Sequence, residues 1–183
     1  MKKIGVFLAE GFEEIEGLTV VDILRRAGID VETISIMGTK EVCGSHKIQV
    51  IADVLYEDVN FEEFDGVVLP GGLPGTNNLG AHAGVNETIH SFHAAGKLVA
   101  AICAAPSVLG QAGLLEGKRA TCYPGFEDKL TGAEVMYDEV AEAGNIITSR
   151  GMGTTIHFAL RITAYLIDED KAQELAKKII YCQ

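Results

Sequence analysis

One cysteine of this chain lies where sequence can make a thiol reactive. Cys103 follows the apolar run Leu98–Ile102 and precedes Ala104, Ala105 and then Pro106. The run is typical of a buried strand, and proline fits the first turn of a helix. At such a strand-to-helix turn the helix dipole and free backbone N–H groups stabilise a thiolate. The sequence therefore predicts a reactive Cys103 with a pKa below the free-thiol value of ~8.5.

A carboxyl on the first predicted helix supports this interpretation. Val20, Ile23 and Leu24 form an apolar stripe, and Glu16 lies one turn before Val20 on the same face. A carboxyl buried there has a raised pKa, and its protonated form can donate a hydrogen bond to a thiolate. There are two simpler interpretations: Cys103 is a small buried hydrophobe, and Glu16 only complements the positive helix start. The second does not explain an acid on the apolar face.

A glycine-rich segment follows another predicted strand. Residues 65–69 are typical of a buried strand, and 70–75 read Pro-Gly-Gly-Leu-Pro-Gly. Glycines expose backbone N–H groups, which can bind an oxyanion or a carboxylate. The alternative is an ordinary tight turn. No Gly-Lys-Ser/Thr follows, which excludes a phosphate-binding P-loop.

The histidines do not indicate a metal site. His90 and His93 are three residues apart on one helix face, but no third ligand is evident, which favours a solvated helix face. His46, in a predicted loop, is a candidate to approach the site of a partner subunit. We therefore expect no bound metal.

Strands and helices alternate along the chain. Because the predicted strands are apolar throughout, they indicate a mostly parallel sheet covered by helices on both faces, a doubly wound α/β fold. In such folds ligands bind beyond the carboxyl ends of the strands. The predicted strands are 3–8, 31–37, 65–69 and 98–102, with shorter ones within 43–56 and near 120 and 146. The predicted helices are 13–27, 85–95, 106–112, 153–167 and 170–180.

Composition limits the partners. The formal net charge is −11, and an acidic surface repels phosphate backbones and anionic membranes, so we expect neither nucleic acid nor membrane as a partner. The four cysteines contain no Cys-x-x-Cys pair, and a chain of 183 residues needs no disulfide framework. No signal-peptide core or membrane-length apolar run is evident, so the predicted location is the cytoplasm.

Four motifs in chain order carry a family resemblance: GFEEIE at 11–16, LPGGLPG at 69–75, AICAAP at 101–106 and TSRGMGT at 148–154. Together they resemble the ThiJ/PfpI superfamily, most closely the branch of the human parkinsonism protein. The resemblance implies a single ThiJ/PfpI-like domain over residues 1–183, related to class I glutamine amidotransferases. It also implies a flavodoxin-like sandwich and a homodimer.

The resemblance also implies the site residues. The family's reactive cysteine matches Cys103, and its protonated glutamate matches Glu16. The positions whose backbone N–H groups face the thiol match Gly71, Gly72 and Ala104.

Departures from the family pattern concern the residues around the thiol. The family has a histidine near the thiol, and the matching segment 120–124 is interpreted as placing Cys122 there, as a possible auxiliary or resolving thiol. In the peptidase branch a histidine directly follows the nucleophile. Here that residue is Ala104, which argues against a peptidase. Met152 and Ala105 replace a proline and a glycine common in the family.

The function implied by the resemblance is that of a cysteine-dependent stress-response protein. It would act without a cofactor on small aldehydes, reactive dicarbonyls or glycated proteins, as a glyoxalase or deglycase. Thiolate attack on an aldehyde gives a hemithioacetal, and Glu16 is the candidate general base. The missing histidine keeps an alternative open, a redox-sensing or chaperone-like protein in which Cys103 is oxidised without fast turnover. The sequence does not decide whether the protein is an enzyme.

Overall fold

The computed structural model describes residues 1–181, which contain eleven strands and six helices. The strands are β1 (Lys3–Leu8), β2 (Asp30–Ser35), β3 (Glu41–Cys43), β4 (Gln49–Ile51), β5 (Val54–Leu55), β6 (Gly66–Leu69), β7 (Leu98–Ile102), β8 (Arg119–Ala120), β9 (Glu134–Val135), β10 (Val140–Ala143) and β11 (Ile146–Ser149). The helices are α1 (Glu14–Arg26), α2 (Gly75–Ala81), α3 (Ala83–Ala94), α4 (Pro106–Gln111), α5 (Thr155–Leu166) and α6 (Glu169–Lys178).

Seven strands form the main sheet in the order β10-β11-β7-β6-β1-β2-β5. All neighbours in this sheet run parallel except β10 and β11, which are antiparallel. Two small two-stranded sheets, β3–β4 and β8–β9, lie outside it. The predicted α/β fold with a mostly parallel, flavodoxin-like sheet is confirmed.

The helices cover both faces of the sheet and produce two hydrophobic cores. Side chains alternate along each strand, so Ile4 and Val6 of β1 pack in one core and Phe7 packs in the other. The first core contains residues of α1, α5 and α6, and the second contains residues of α2, α3 and α4. Apolar side chains on both faces explain why the central strands carry almost no polar residues.

Helix α2 was not predicted. Its sequence has no apolar periodicity, since Leu79 is the only large hydrophobic residue among Gly75–Ala81. The segment 43–56, predicted to hold one or two strands, contributes to three: β3 and β4 form a hairpin, and β5 joins the sheet edge beside β2. Helix α5 begins two residues later than predicted, after a 3₁₀ turn at Met152–Thr154.

Four loops meet at the carboxyl edge of the sheet. They follow β1, β6, β7 and β11, which are neighbours in the sheet, and comprise residues 9–13, 70–74, 103–105 and 150–154. The four motifs of the family resemblance lie in these loops and in the adjoining ends of strands and helices. None of the helices within residues 1–181 is long and apolar enough to span a membrane.

Candidate active site at the carboxyl edge of the sheet

Cys103 occupies the turn between β7 and α4, as predicted. Its backbone has φ 65°, in the left-handed region that non-glycine residues seldom adopt and that is common at functional sites. Two backbone hydrogen bonds hold the turn: the Cys103 N–H donates to Ser149 (2.9 Å), and the Cys103 carbonyl accepts from Tyr123 (2.8 Å). The residue is 9% exposed. The thiol is therefore fixed at the end of the strand and largely shielded.

Helix α4 contributes less to the thiol than the sequence indicated. It has six residues, and its N-cap is Ala105, two residues beyond Cys103. A short helix with this offset gives a weak dipole effect at sulfur. The groups that do favour the thiolate are the backbone N–H groups of Gly72 and Ala104, which act to lower the Cys103 pKa. Two of the three predicted N–H groups thus face the thiol.

The third predicted N–H group serves Glu16 instead. The Gly71 N–H donates to Oε2 of Glu16 at 2.9 Å, so the expectation that Gly71 acts on the thiol directly is wrong. Glu16 lies in the first turn of α1 and is fully buried, as its place on the apolar stripe predicted. Its other oxygen, Oε1, has no hydrogen-bond partner within residues 1–181.

Gly71 and Gly72, in the segment after β6, are both required by their surroundings. A Cβ at Gly71 would lie 2.6 Å from Cβ of Cys103 and 2.7 Å from Oε2 of Glu16, so only glycine lets these two side chains meet. Gly72 has φ 89°, which favours glycine, and a Cβ there would strike the backbone of Glu13 and Gly11. The close approach of three loops therefore depends on two adjacent glycines.

Cys103 and Glu16 titrate as a coupled pair. Burial, opposed by hydrogen bonds from Cys103 and Gly71, raises the pKa of Glu16 to about 7. Burial and the neighbouring Glu16 charge raise the pKa of the Cys103 thiol to about 12. The expectation of a lowered Cys103 pKa is therefore wrong while Glu16 is ionised, because two negative charges cannot share this buried site. The pair holds one negative charge above neutral pH, shared between sulfur and carboxylate.

The side chain of Cys122 packs in a different core from that of Cys103, while the proximity of the two residues stays a prediction. The Cys122 side chain packs in the core formed with α2, α3 and α4, whereas Cys103 packs in the other core. Burial raises the Cys122 pKa to about 11, which makes it a poor resolving thiol. The residue whose backbone bonds Cys103 is the next one, Tyr123.

Alternation could have identified Tyr123 from sequence. Ala120 and Cys122 both pack in the second core, so the residues between and after them face the opposite way. The backbone N–H of Thr121 donates to Oγ1 of Thr148, which ties this segment to the end of the sheet that carries the site. The family's histidine position is therefore better matched by Tyr123 than by Cys122.

Three potential metal ligands outside the predicted set lie together at the start of α1. Glu13, Glu14 and His46 place ligand atoms within 4.8 Å of one another. Backbone N–H groups and Ser45 already bond these carboxylates, and Nδ1 of His46 lies 3.2 Å from Glu14. His46 is thus held by its own chain. His93, three residues after His90 on the same helix, contacts the side chain of Asn145 at 2.9 Å.

Comparison with known proteins places this site in a family. The model of the DJ-1/PfpI family matches residues 2–165. The chain is 42% identical to protein dj-1beta of Drosophila melanogaster over 177 residues, covering 96% of this chain and 95% of that protein. It is 34% identical to glutathione-independent glyoxalase DJR-1.2 of Caenorhabditis elegans, covering 93% and 91%. The structure of oxidised DJ-1 from Toxoplasma gondii matches with a TM-score of 0.96 and 35% identity, covering all of both chains.

The fold is of the flavodoxin-like α/β class, and its carboxyl edge carries a cysteine–glutamate pair at a strand-to-helix turn. The matches over nearly the whole length narrow this further: the chain belongs to the DJ-1/PfpI family.

Replacing Gly71 tests the packing of the pair. We expect Gly71→Ala to lower the free energy of unfolding by about 1–3 kcal/mol, because the added methyl overlaps Cys103 and Glu16. It should also slow alkylation of Cys103. The matched control is Gly80→Ala in α2, where the nearest atom is 3.6 Å from the new Cβ and stability should stay equal or rise. Urea unfolding of both variants checks this, and equal stabilities would contradict the close approach.

Removing the charge of Glu16 tests its raised pKa. The folded protein binds more protons at Glu16 than the unfolded chain between pH 4.5 and about 7, so this group lowers stability as pH rises through that window. We expect Glu16→Gln to gain stability relative to the unmodified protein between pH 5 and pH 8, by at most about 3 kcal/mol. Urea unfolding at both pH values measures the difference.

A control of opposite sign lies two residues away. Although burial opposes it, hydrogen bonds from its own backbone N–H and from His46 hold the pKa of Glu14 below 4.5. The stability that Glu14 contributes is therefore present above pH 4.5 and is lost as pH falls through its folded pKa. Glu14→Gln should change the acid side of the profile only. A Glu16→Gln difference that is flat from pH 5 to pH 8 would show that Glu16 is not buried as a neutral acid.

Proposed function

We propose that this protein is a cofactor-independent glyoxalase-like enzyme that acts on reactive 2-oxoaldehydes, or on the adducts they form with proteins. The observation that carries the proposal is the buried Cys103–Glu16 pair, held together at a left-handed turn with two backbone N–H groups directed at sulfur. A nucleophile, a proton-transfer group and N–H donors within one shielded site are what addition to an aldehyde requires.

The first step is addition of sulfur to the aldehyde. A bond forms between Sγ of Cys103 and the aldehyde carbon, while the carbonyl π bond breaks and its electrons move to oxygen. Glu16 accepts the thiol proton and then supplies it to that oxygen, which gives a hemithioacetal. A group with a pKa of about 7 can both accept and donate a proton near neutral pH, and Glu16 has this value.

The second step moves the oxidation state within the substrate. A proton leaves the former aldehyde carbon and the ketone oxygen takes up a proton, which gives an enediol. The hydroxyl on the first carbon then loses its proton and becomes the thioester carbonyl, while a proton is added to the second carbon. The product is a 2-hydroxyacyl thioester. Water then cleaves the thioester, releasing a 2-hydroxy acid and regenerating the thiol. The net reaction is 2-oxoaldehyde plus water to 2-hydroxy acid, so no external oxidant or reductant is consumed.

The comparisons support this substrate class. The Caenorhabditis elegans relative carries the name glutathione-independent glyoxalase, and it spans nearly the same length as this chain. A protein-bound dicarbonyl adduct offers the same electrophilic carbon, so deglycation would use the same addition step. The cytoplasmic location remains a prediction from the sequence.

A second candidate function is redox sensing. It is favoured by the Toxoplasma gondii relative, whose structure is of the oxidised protein. In this case a peroxide takes two electrons from Sγ of Cys103 at each step, giving first a sulfenate and then a sulfinate. The protonated form of Glu16 beside the sulfur would then donate a hydrogen bond to the oxidised group.

Lactate formation from methylglyoxal separates the two functions. We expect the unmodified protein to form lactate, Cys103→Ser to fall to the background rate, and Glu16→Gln to lose about 10²–10⁴-fold in kcat. The matched control is Cys43→Ser, since Cys43 lies in β3 and its thiol contacts the Gly44 carbonyl, away from the pair. Turnover retained by Cys103→Ser would contradict the proposal. No turnover in either protein, with peroxide converting Cys103 selectively to sulfinate, would establish the redox alternative instead.

We also propose that the protein forms a homodimer through an apolar surface at α1 and the β3–β4 hairpin. Ile15 and Leu18 are exposed on α1, and Ile48 and Ile51 are exposed on the hairpin. The hairpin is fixed to α1 by the backbone N–H groups that bond Glu14. Exposed apolar side chains grouped in this way are typical of a surface that a partner covers.

Sedimentation equilibrium tests the dimer. We expect a dimer at micromolar concentration and a monomer for Leu18→Asp, because a charge buried in an apolar interface is left unpaired. Ile167→Asp, at the end of α5, places the same charge on an exposed isoleucine elsewhere and should leave the dimer intact. A monomeric unmodified protein would contradict the proposal.

A further inference from the structure

One oxygen of the site is left without a partner. Oε1 of Glu16 is buried and accepts or donates no hydrogen bond within residues 1–181, while Oε2 is bonded by Gly71. Leaving a buried polar atom unbonded costs about 1–3 kcal/mol. A buried oxygen without a hydrogen bond beside Cys103 is suited to bond a group of the substrate, such as the oxygen of its carbonyl.

The space beside that oxygen exists because residue 151 is a glycine, which has no side chain. A methyl group at Gly151 would lie 4.0 Å from Oε1 of Glu16 and 3.2 Å from Cδ2 of Tyr123. Gly151 has an extended backbone, with φ 168°, so its conformation does not require glycine. Glycine at 151 therefore leaves space, and that space separates the Tyr123 ring from the Glu16 carboxyl.

Both walls of this gap are anchored to the site. The Tyr123 N–H donates to the Cys103 carbonyl at 2.8 Å, so the position of Tyr123 is tied to that of the nucleophile. Gly151 exchanges hydrogen bonds with Thr154, whose hydroxyl also contacts Ser149 at the end of β11. Tyr123 is 43% exposed, so one side of the residue faces solvent rather than protein.

The gap opens into a cleft of about 290 Å³ at the surface. Its lining is mainly apolar or backbone, from Tyr123, Pro124, Met152 and Gly153. Arg150 also lines it, but its guanidinium donates to the carbonyls of Cys122 and Tyr137, which holds the loop. Gly151 and Tyr123 line the cleft and also border the gap beside Glu16, and a cavity of this size suits a small substrate.

We propose that Tyr123, facing Gly151, is the specificity-determining residue of this site, and that its ring limits entry to small 2-oxoaldehydes. This rests on the proposed glyoxalase function for the identity of the substrate. Access to Cys103 and Glu16 passes between the ring and Gly151. Removal of the ring widens the passage, and a side chain at 151 narrows it.

The first test compares a small and a bulky substrate. We expect Tyr123→Ala to raise kcat/KM for phenylglyoxal relative to methylglyoxal by about tenfold or more, the scale on which pocket size discriminates substrates. Tyr123→Phe keeps the ring and should keep the original ratio. A hydroxyl role in proton transfer would instead lower kcat for both substrates in Tyr123→Phe, and that result would overturn the size argument.

The second test measures access through the gap by alkylation of Cys103, so it does not require that the protein turn over any substrate. The rate at which iodoacetamide and N-ethylmaleimide alkylate Cys103 is followed by mass mapping of its peptide. We expect Gly151→Ala to slow the maleimide more than the iodoacetamide, and Gly151→Ala combined with Tyr123→Ala to recover the rate, because the new methyl narrows the passage only against the ring. The matched control is Gly80→Ala in α2, which lies outside the lining of the cleft and has no atom closer than 3.6 Å to the new Cβ.

The two readouts separate the failure of each idea. If the unmodified protein does not turn over methylglyoxal but alkylation follows this pattern, the glyoxalase function fails and the role of Tyr123 stands. If the ratio of the two alkylation rates is the same in Tyr123→Ala, Gly151→Ala and the unmodified protein, Tyr123 does not control access and the inference is overturned.

Discussion

The site depends on the burial of a carboxyl against a thiol. Taking Glu16 fully out of water favours its neutral form, and the thiol of Cys103 is brought to it through a gap only two glycines can leave. Either group alone would be an ordinary buried side chain. Together they share one negative charge, so the chemistry of each is set by the protonation of the other.

The same pair ties together three elements at this edge of the sheet. Glu16 comes from α1, Gly71 from the loop after β6, and Cys103 from the turn after β7, and parallel strands bring these loops to one edge. The Cys103 turn is bonded to the last residue of β11, Ser149, and to the segment after β8 through Tyr123. A left-handed nucleophile turn is costly, and these bonds to neighbouring strands hold it in place.

The sequence predicted those parts of the structure that repeat a pattern. The apolar strands and the stripe that places Glu16 inward follow from periodicity, and both were confirmed. Helix α2 could not be predicted because Gly75–Ala81 has a single large apolar residue, so its sequence shows no helical periodicity. The Gly71 N–H was assigned to the thiol because motif spacing cannot tell which of two nearby acceptors a donor will bond.

The sequence assigned the family's histidine position to Cys122, whereas the structure matches it to Tyr123, and the physical reason is the alternation of side chains. A one-residue displacement along an extended segment turns a side chain to the opposite face. Cys122 therefore packs into the core while Tyr123 lines the cleft. The reactivity of a cysteine thiol indicates a possible role, but it does not determine which way the side chain points. Direction is set by burial of Ala120 and Cys122 on one side and by the bond from Tyr123 to Cys103 on the other. Tyr123 stands where the family resemblance implies a histidine, so in the proposed mechanism Glu16 is the group that transfers protons.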